Sequence, residues 1–216
     1  MYDLCIFDLD GTLSDPQLGI TRSYQHALAA FGIHEEAKDL ARFIGPPLRD
    51  NFKDYYGLSE SDTEKAVSIF REYFTDKGLI ENTLYPEIPE TLQKLKDLGK
   101  TLAVATTKVK SFTDIIIDYF DLGKYFTFVA GDDMDGSLTK NGKRDIIRIV
   151  LDTLDPKREM KAVMIGDRLY DIIGARENGI DSIGVLWGFG SRTELEEAGA
   201  TKIITSIGEL LPTLSD

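Results

Sequence analysis

Four aspartates stand where two apolar segments of this 216-residue chain end. Asp8 and Asp10 follow the first apolar run, and Asp167 and Asp171 follow a later one. Because open α/β sheets bind ligands beyond the carboxyl ends of their strands, we expect these carboxylates to gather at one sheet edge. Crowded carboxylates repel one another unless they share a cation, and a hard divalent ion such as Mg²⁺ prefers oxygen ligands. The spacing therefore predicts a cluster of acids that holds a divalent cation.

Two further apolar runs also end in polar residues. Thr106 follows one of them, and Asp132 and Asp133 follow the other. A calcium-binding loop around the second pair would need an acid at Gly131 and a glutamate at Gly142, and the sequence has neither. We therefore interpret Asp132 and Asp133 as loop acids near the site and not as metal ligands.

The elements that must position these side chains alternate along the chain. Six short apolar runs suit strands that are buried on both faces of a parallel sheet, at 4–7, 102–105, 126–130, 162–165, 182–186 and 202–204. Segments with helical periodicity lie between them, at 89–98, 111–120, 143–154 and 171–178. Alternation of this kind indicates βαβ units, so the predicted fold class is α/β with a doubly wound parallel sheet.

A helical stretch interrupts this alternation after the first strand. Its predicted helices run from about 15 to 31, 35 to 43, 47 to 56 and 59 to 78. The predicted organisation is therefore an α/β core of residues 1–13 and 84–216, with an inserted α-helical domain of residues 14–83.

Composition narrows the range of partners. Lys and Arg number 25 against 37 Asp and Glu, which gives a net charge of −12. Nucleic acids and anionic membranes bind through basic faces, so we expect neither as a partner. If the protein handles a phosphate, it needs a local positive centre that its net charge does not supply.

The single cysteine and the first residues bear on location. Cys5 cannot form an intrachain disulfide, which fits a reducing compartment. Residues 1–3 lead into an apolar run without a basic segment, so we expect no signal peptide. No apolar stretch approaches the roughly 18 to 20 residues that a membrane span needs. We expect a cytoplasmic protein.

Two motifs resemble those of a known family. The segment 7–13, FDLDGTL, resembles the D-x-D-G-T-L/V signature of the haloacid dehalogenase (HAD) superfamily of aspartate-nucleophile phosphatases, and 165–171, IGDRLYD, resembles its G-D-x-x-x-D metal motif. The segments 44–48, IGPPL, and 188–191, GFGS, resemble the phosphoglycolate phosphatase-like branch. The resemblance implies a Rossmann-like HAD core and identifies the helical insertion as a cap of the C1 type.

The same resemblance assigns roles to the acidic residues. Asp8 would attack phosphorus and form an aspartyl-phosphate. Asp10 would protonate the leaving oxygen and later deprotonate the attacking water. Mg²⁺ would be held by Asp8, the main-chain carbonyl of Asp10 and Asp167, with Asp171 as a further ligand or as a residue that supports the ligands. Thr106 would donate a hydrogen bond to a phosphoryl oxygen.

A lysine is expected to supply the local positive charge. The family usually shows lysine followed by proline at the start of a helix, and neither Lys140 nor Lys143 precedes proline. Lys143 lies directly before an amphipathic helical segment, so we favour it as the catalytic lysine and keep Lys140 as the alternative.

Four residues are predicted to bind the substrate, namely Thr12, Thr107, Arg49 and Gly45. We expect the segment 45–47, Gly-Pro-Pro, to form a rigid approach to a helix N-terminus, which favours an anion. Arg49 is the candidate for a second charged group of the substrate. Thr107 stands where many relatives have asparagine.

The predicted function is that of a Mg²⁺-dependent phosphatase that hydrolyses a small phosphorylated metabolite, as a monomer or homodimer. A 5′-nucleotidase or pyrophosphatase uses the same chemistry with another leaving group, and a phosphomutase uses the same residues, so these alternatives stay open. Asp10 and Asp167 argue against a 2-haloacid dehalogenase, because that reaction needs neither residue. The helical insertion argues against a phosphorylated receiver module, because such a module lacks one.

Overall fold

The computed structural model describes residues 1–46 and 48–215. The chain divides into two compact units, an α/β unit of Met1–Ser14 and Leu84–Asp216 and a helical unit of Asp15–Thr83. Pro47, where the sequence predicts a helix to begin, lies outside the described residues. Among the helices of the described part, none combines the length and the apolar character that a membrane crossing requires.

A parallel sheet organises the α/β unit. The described strands, in chain order, are β1 (Leu4–Phe7), β2 (Ser14–Asp15), β3 (Thr83–Leu84), β4 (Thr101–Val109), β5 (Phe128–Asp132), β6 (Ala162–Gly166), β7 (Asp181–Val185) and β8 (Lys202–Ile204). Strands β2 and β3 pair with each other, and the rest form one sheet in the order β5-β4-β1-β6-β7-β8. All neighbours in that sheet are parallel. The order runs outward in both directions from β1, which confirms the predicted doubly wound sheet.

Helices connect the strands and fill the insertion. The described α-helices, in chain order, are α1 (Gln17–Ala29), α2 (Ala37–Leu40), α3 (Leu48–Asp50), α4 (Glu60–Tyr73), α5 (Ile88–Asp97), α6 (Lys110–Tyr119), α7 (Lys143–Leu154), α8 (Leu169–Glu177), α9 (Arg192–Ala198) and α10 (Leu210–Ser215). Short 3₁₀ turns span Ala41–Phe43 and Ile207–Glu209, and π-helical turns span Asn51–Tyr55 and Phe74–Gly78. The sequence prediction missed α9, α10 and the two short strands β2 and β3.

The core of the α/β unit joins the central strands to α7. Leu4 and Ile6 of β1 and Met164 of β6 lie in one buried cluster with Ile146 and Val150 of α7. The spacing of the last two places them on one helix face, which is why this segment reads as an amphipathic helix. Burial of β1 and β6 residues in succession explains their continuous apolar runs.

Two strands differ from their predicted bounds. Strand β4 runs through polar residues to Val109 instead of ending at residue 105, and β5 begins at Phe128 instead of residue 126. Backbone pairing between β4 and β5 determines both of these bounds, because Ala103 lies opposite Phe128 and Val109 lies opposite Asp132. Hydropathy alone does not register such backbone pairing, so the apolar runs mark these strands only approximately.

Aromatic side chains fill the interior of the helical unit. The Tyr24 ring lies 5.4, 5.2 and 5.0 Å, between centroids, from the rings of Phe43, Phe52 and Phe70. Helix α4 starts as predicted, since the Ser59 hydroxyl oxygen accepts a hydrogen bond from the Asp62 amide at 3.1 Å. Tertiary packing of these rings provides most of the stability of such short helices.

Candidate active site

The pairing register of β1 and β6 brings together the two acidic motifs, which lie in the segments 7–13 and 165–171. Phe7 lies opposite Ile165, and the Asp8 amide donates to the Ile165 carbonyl at 2.9 Å. Asp8 therefore leaves the sheet beside the segment that carries Asp167 and Asp171. These three carboxylates are buried, and each offers an oxygen within 4.8 Å of the oxygens of the other two.

Lys143 supplies a positive charge inside this cluster. At the start of α7, its Nζ lies 2.5 Å from Asp8 Oδ1 and 2.8 Å from Asp171 Oδ1. Burial lowers the pKa of the lysine, but Asp171 and Asp8 together raise it above its usual value, so the group remains an ammonium. Lys140 is exposed on the loop before α7. The structure thus places Lys143, and not Lys140, beside Asp8.

The cluster places three buried carboxyl groups around the ammonium of Lys143. Burial raises the pKa of Asp167 well above its usual range, and the carboxylates of Asp171 and Asp8 raise it further. Burial likewise raises the pKa of Asp171 to about 6, although Lys143 opposes the shift. When all three groups are ionised, one ammonium leaves a surplus of negative charge, which a divalent cation with oxygen ligands would balance.

A second lysine, Lys108, lies at the site and was missed by the sequence analysis. Its Nζ is 2.7 Å from Asp10 Oδ2, and its side chain is 8% exposed. Burial raises the pKa of Asp10 above its usual value, although Lys108 opposes the shift. The available signal was its place two residues after Thr106, because alternate residues of a strand share a face. With β4 predicted to end at residue 105, that alternation was not applied.

Thr106 is buried and oriented by a backbone group. Its Oγ1 accepts a hydrogen bond from the Lys108 amide at 3.2 Å. Because a hydroxyl can accept and donate at once, this bond leaves the Thr106 proton available for another acceptor. Thr107, predicted to bind the substrate, is exposed on the opposite side of the strand.

A glycine-rich loop encloses Asp167. The Phe189 amide donates to Asp167 Oδ2 at 2.8 Å. A Cβ atom at Gly188 would lie 2.4 Å from Asp167 Cβ, and one at Gly190 would lie 1.9 Å from the Asp167 carbonyl oxygen. Only glycine allows the loop to approach this closely. The GFG segment, which resembles the phosphoglycolate phosphatase-like branch, thus forms a close-packed wall behind Asp167.

Thr12 is buried and contacts Asp167 and Trp187, the residue before the glycine-rich loop. Its hydroxyl donates to Asp167 Oδ1 at 3.4 Å, and its carbonyl oxygen accepts from the Trp187 indole at 3.1 Å. Gly11, at φ +82°, precedes it in a turn, and a Cβ atom there would lie 2.3 Å from Asp167 Oδ2. The observed contacts of Thr12 orient a carboxylate, whereas the sequence analysis predicted a contact with the substrate.

The remaining predicted residues lie at the end of β5 and in the helical unit. Asp132 is the buried last residue of β5, so its prediction as a loop acid was wrong, whereas Asp133 is exposed on the loop that follows. Asp132 Oδ1 accepts from the amides of Asp133 and Leu138 at 2.8 and 3.2 Å, because the loop folds back over the strand end. Arg49 forms ion pairs with Glu60 and Glu64 of α4. Gly45 is exposed and adopts a φ of +105°. A substrate contact at Arg49 or Gly45 stays a prediction.

Known proteins resemble this chain over nearly its whole length. Residues 5–185 match the model of a family described as haloacid dehalogenase-like hydrolase. A 5′-nucleotidase from Pseudomonas aeruginosa is 43% identical, and the match covers 97% of this chain and 94% of the nucleotidase chain. The tyrosine-protein kinase PtkA of Mycobacterium tuberculosis is 37% identical, and the match covers 94% of this chain and 68% of the PtkA chain. A predicted phosphatase from Clostridium acetobutylicum has a solved structure with a TM-score of 0.91 and 42% identity, covering 100% of this chain and 99% of that one.

Proposed function

Because the chain belongs to the haloacid dehalogenase-like hydrolase family, we propose that it is a Mg²⁺-dependent phosphatase of small phosphomonoesters. The observation that carries the proposal is the 2.5 Å contact of Lys143 Nζ with Asp8 Oδ1 inside a buried cluster of acids. A carboxylate held beside an ammonium can approach an anionic phosphoryl group that an isolated carboxylate would repel.

Asp8, Asp167 and Asp171 would hold the Mg²⁺ ion, because their surplus negative charge and oxygen donors fit a hard cation. The main-chain carbonyl of Asp10 is the fourth protein ligand that the sequence motif predicts. When bound, the ion would neutralise charge on the phosphoryl oxygens. Thr12 and the Phe189 amide orient the Asp167 carboxylate from behind, as ligand-supporting groups do in metal sites.

Two proton transfers by Asp10 complete the proposed chemistry. In the first step a carboxylate oxygen of Asp8 bonds to phosphorus, the bond from phosphorus to the leaving oxygen breaks, and Asp10 protonates that oxygen. In the second step Asp10 takes a proton from water as the water oxygen bonds to phosphorus and the bond to Asp8 breaks. Lys143 stabilises the negative charge on the transferring phosphoryl group, and the Thr106 hydroxyl donates a hydrogen bond to a phosphoryl oxygen.

Nucleoside monophosphates are a second substrate class for the same chemistry. The 43% identity with a 5′-nucleotidase supports testing them beside 2-phosphoglycolate. We propose a small phosphorylated metabolite as the partner, with no nucleic acid or membrane, and a monomer or homodimer as the working state. A panel that includes both substrate classes and inorganic pyrophosphate, read by phosphate release, ranks the leaving groups. Activation by a sugar bisphosphate with little net hydrolysis would instead identify a phosphomutase.

The test of the reaction class is phosphate release from p-nitrophenyl phosphate, with Mg²⁺ and with EDTA. We expect activity only with the metal, and a loss of at least about 10³-fold in Asp8→Asn, since a nucleophile is removed. Asp133→Asn is the matched control, because Asp133 is an exposed loop acid, and it should keep full activity. Hydrolysis that persists in Asp8→Asn contradicts the proposal. So does a phosphoryl group that survives for minutes on wild-type Asp8.

A further inference from the structure

Lys108 joins the proton-transferring acid to the phosphoryl-binding threonine. Its Nζ lies 2.7 Å from Asp10 Oδ2, and its amide donates to Thr106 Oγ1 at 3.2 Å. We propose that Lys108 is a positioning residue that holds Asp10 for protonation of the leaving group. The inference rests on the proposed phosphatase function and adds a residue to it.

The two oxygens of Asp10 have different surroundings. Oδ2 faces the Lys108 ammonium, whereas Oδ1 is buried and has no hydrogen-bond partner among the described residues. An ammonium has only donors, so the oxygen that it contacts must accept, and the proton of a neutral Asp10 belongs on Oδ1. The ion pair therefore selects the oxygen that carries the proton and fixes the plane of the carboxyl group.

The proton transfer that depends on this orientation is the first one. As the bond between phosphorus and the leaving oxygen breaks, the proton moves from Asp10 Oδ1 to that oxygen, and Asp10 becomes a carboxylate. The nearby Lys108 ammonium then stabilises the carboxylate that forms. Lys143 also favours the Asp10 carboxylate, but more weakly than Lys108 does, since its ion-pair contacts are with Asp8 and Asp171.

A role through Asp10 differs measurably from a general electrostatic role. An alkoxide is a poor leaving group that needs the proton, whereas p-nitrophenolate leaves well without it. If Lys108 acts through Asp10, its loss must slow alkyl phosphates more than aryl phosphates. If it only adds positive charge near the phosphoryl group, both substrates slow by the same factor.

The experiment compares Lys108→Met with Lys110→Met in the full-length protein with Mg²⁺. Lys110 is the matched control, because it lies two residues further on and forms a half-exposed pair with Asp114 at 2.6 Å. The measured quantity is kcat/KM, which reports steps up to departure of the leaving group, for p-nitrophenyl phosphate and for glycerol 2-phosphate. We expect Lys108→Met to lower kcat/KM for the alkyl ester by about 10²-fold, the lower end of general acid catalysis. For the aryl ester the decrease should be smaller by a factor of at least about ten. Lys110→Met should match the wild type on both.

Asp10→Asn provides the reference pattern, and Lys108→Gln provides a second variant with a neutral donor if Lys108→Met does not fold. The double variant Asp10→Asn with Lys108→Gln should be no slower on the alkyl ester than Asp10→Asn alone, because both changes remove one function. Equal losses on the two esters, additive losses in the double variant, or wild-type rates in Lys108→Met overturn the inference. A wild-type protein that releases no phosphate from either ester refutes the proposed function instead.

Discussion

The α/β unit buries two of its cationic side chains, whereas two cationic side chains that form ion pairs in the helical unit are half exposed. In the α/β unit the side chains of Lys108 and Lys143 are 8% and 5% exposed, whereas in the helical unit those of Arg22 and Arg49 are 48% and 43% exposed. Removing an ion from water costs several kcal/mol even in a good pair, by a rough general estimate, while exposed pairs cost little to form. Buried charge in the α/β unit therefore opposes stability and has to be explained by chemistry.

The interior around Tyr24 in the helical unit is built from aromatic and neutral polar groups instead of buried charges. Aromatic rings pack around Tyr24, and the Tyr24 hydroxyl accepts a hydrogen bond from Asn51 Nδ2 at 2.8 Å. This interior combines apolar burial with a paired neutral hydroxyl, which is the usual way to gain stability. The comparison predicts that interior substitutions in the α/β site change rates, whereas interior substitutions in the helical unit change the free energy of unfolding.

The largest expected effect is at the buried lysine of the site. We expect Lys143→Ala to lower kcat by about 10³-fold, because it removes the ammonium that faces Asp8 and the transferring phosphoryl group. Lys140→Ala is the matched control, since Lys140 is exposed, and it should retain wild-type turnover. Steady-state kinetics with saturating Mg²⁺ measure both, and circular dichroism checks that each variant folds. A larger loss in Lys140→Ala would reverse the assignment of the two lysines.

A smaller effect is expected where the glycine loop meets Asp167. Gly190→Ala would place a Cβ atom 1.9 Å from the Asp167 carbonyl oxygen, so the backbone that carries a proposed metal ligand must move. We expect a loss of about 10- to 100-fold in Mg²⁺ affinity or activity, the usual range for groups that support metal ligands. The measurement is the Mg²⁺ dependence of phosphate release.

Gly123→Ala is the control for that variant, because the nearest atom to its added methyl group, Ile117 Cγ2, lies at 3.7 Å. It should leave the Mg²⁺ dependence unchanged. An unaltered Mg²⁺ dependence in Gly190→Ala would separate the loop from the metal site and weaken the contrast between the two units.

Much of the fold could be predicted because buried parallel strands produce continuous apolar runs. Strand β1 and helix α7 have their predicted bounds, and the alternation of elements gave the doubly wound class. The shifted start of β5 could not be predicted, since it depends on backbone pairing with β4. Helix α9 was missed because its segment places few apolar residues on a face, with Leu195 and Ala198 as its buried residues.

The candidate site was predictable only where a motif is local in the sequence. The spacings of Asp8 with Asp10 and of Asp167 with Asp171 are such motifs, and so they were found. The contact of Lys108 with Asp10 is not local, because it arises from the pairing of β1 with β4 and from the polar extension of β4. Such contacts across a sheet have no signature in either segment alone.

The smallest effect on rate, and the sharpest test of the comparison, is expected in the helical unit. Tyr24→Phe keeps the packed ring and removes the hydroxyl that accepts from Asn51, so the free energy of unfolding should fall by about 1 kcal/mol, the usual net value of a hydrogen bond. In a chain of this size, such a loss lowers Tm by about 2–4 °C. Tyr55→Phe is the control, since the exposed Tyr55 side chain should tolerate the loss of its hydroxyl with no change in Tm. Thermal melts and kcat are measured on the same samples, and a Tyr24→Phe variant with normal Tm but reduced kcat would show that this interior takes part in the chemistry.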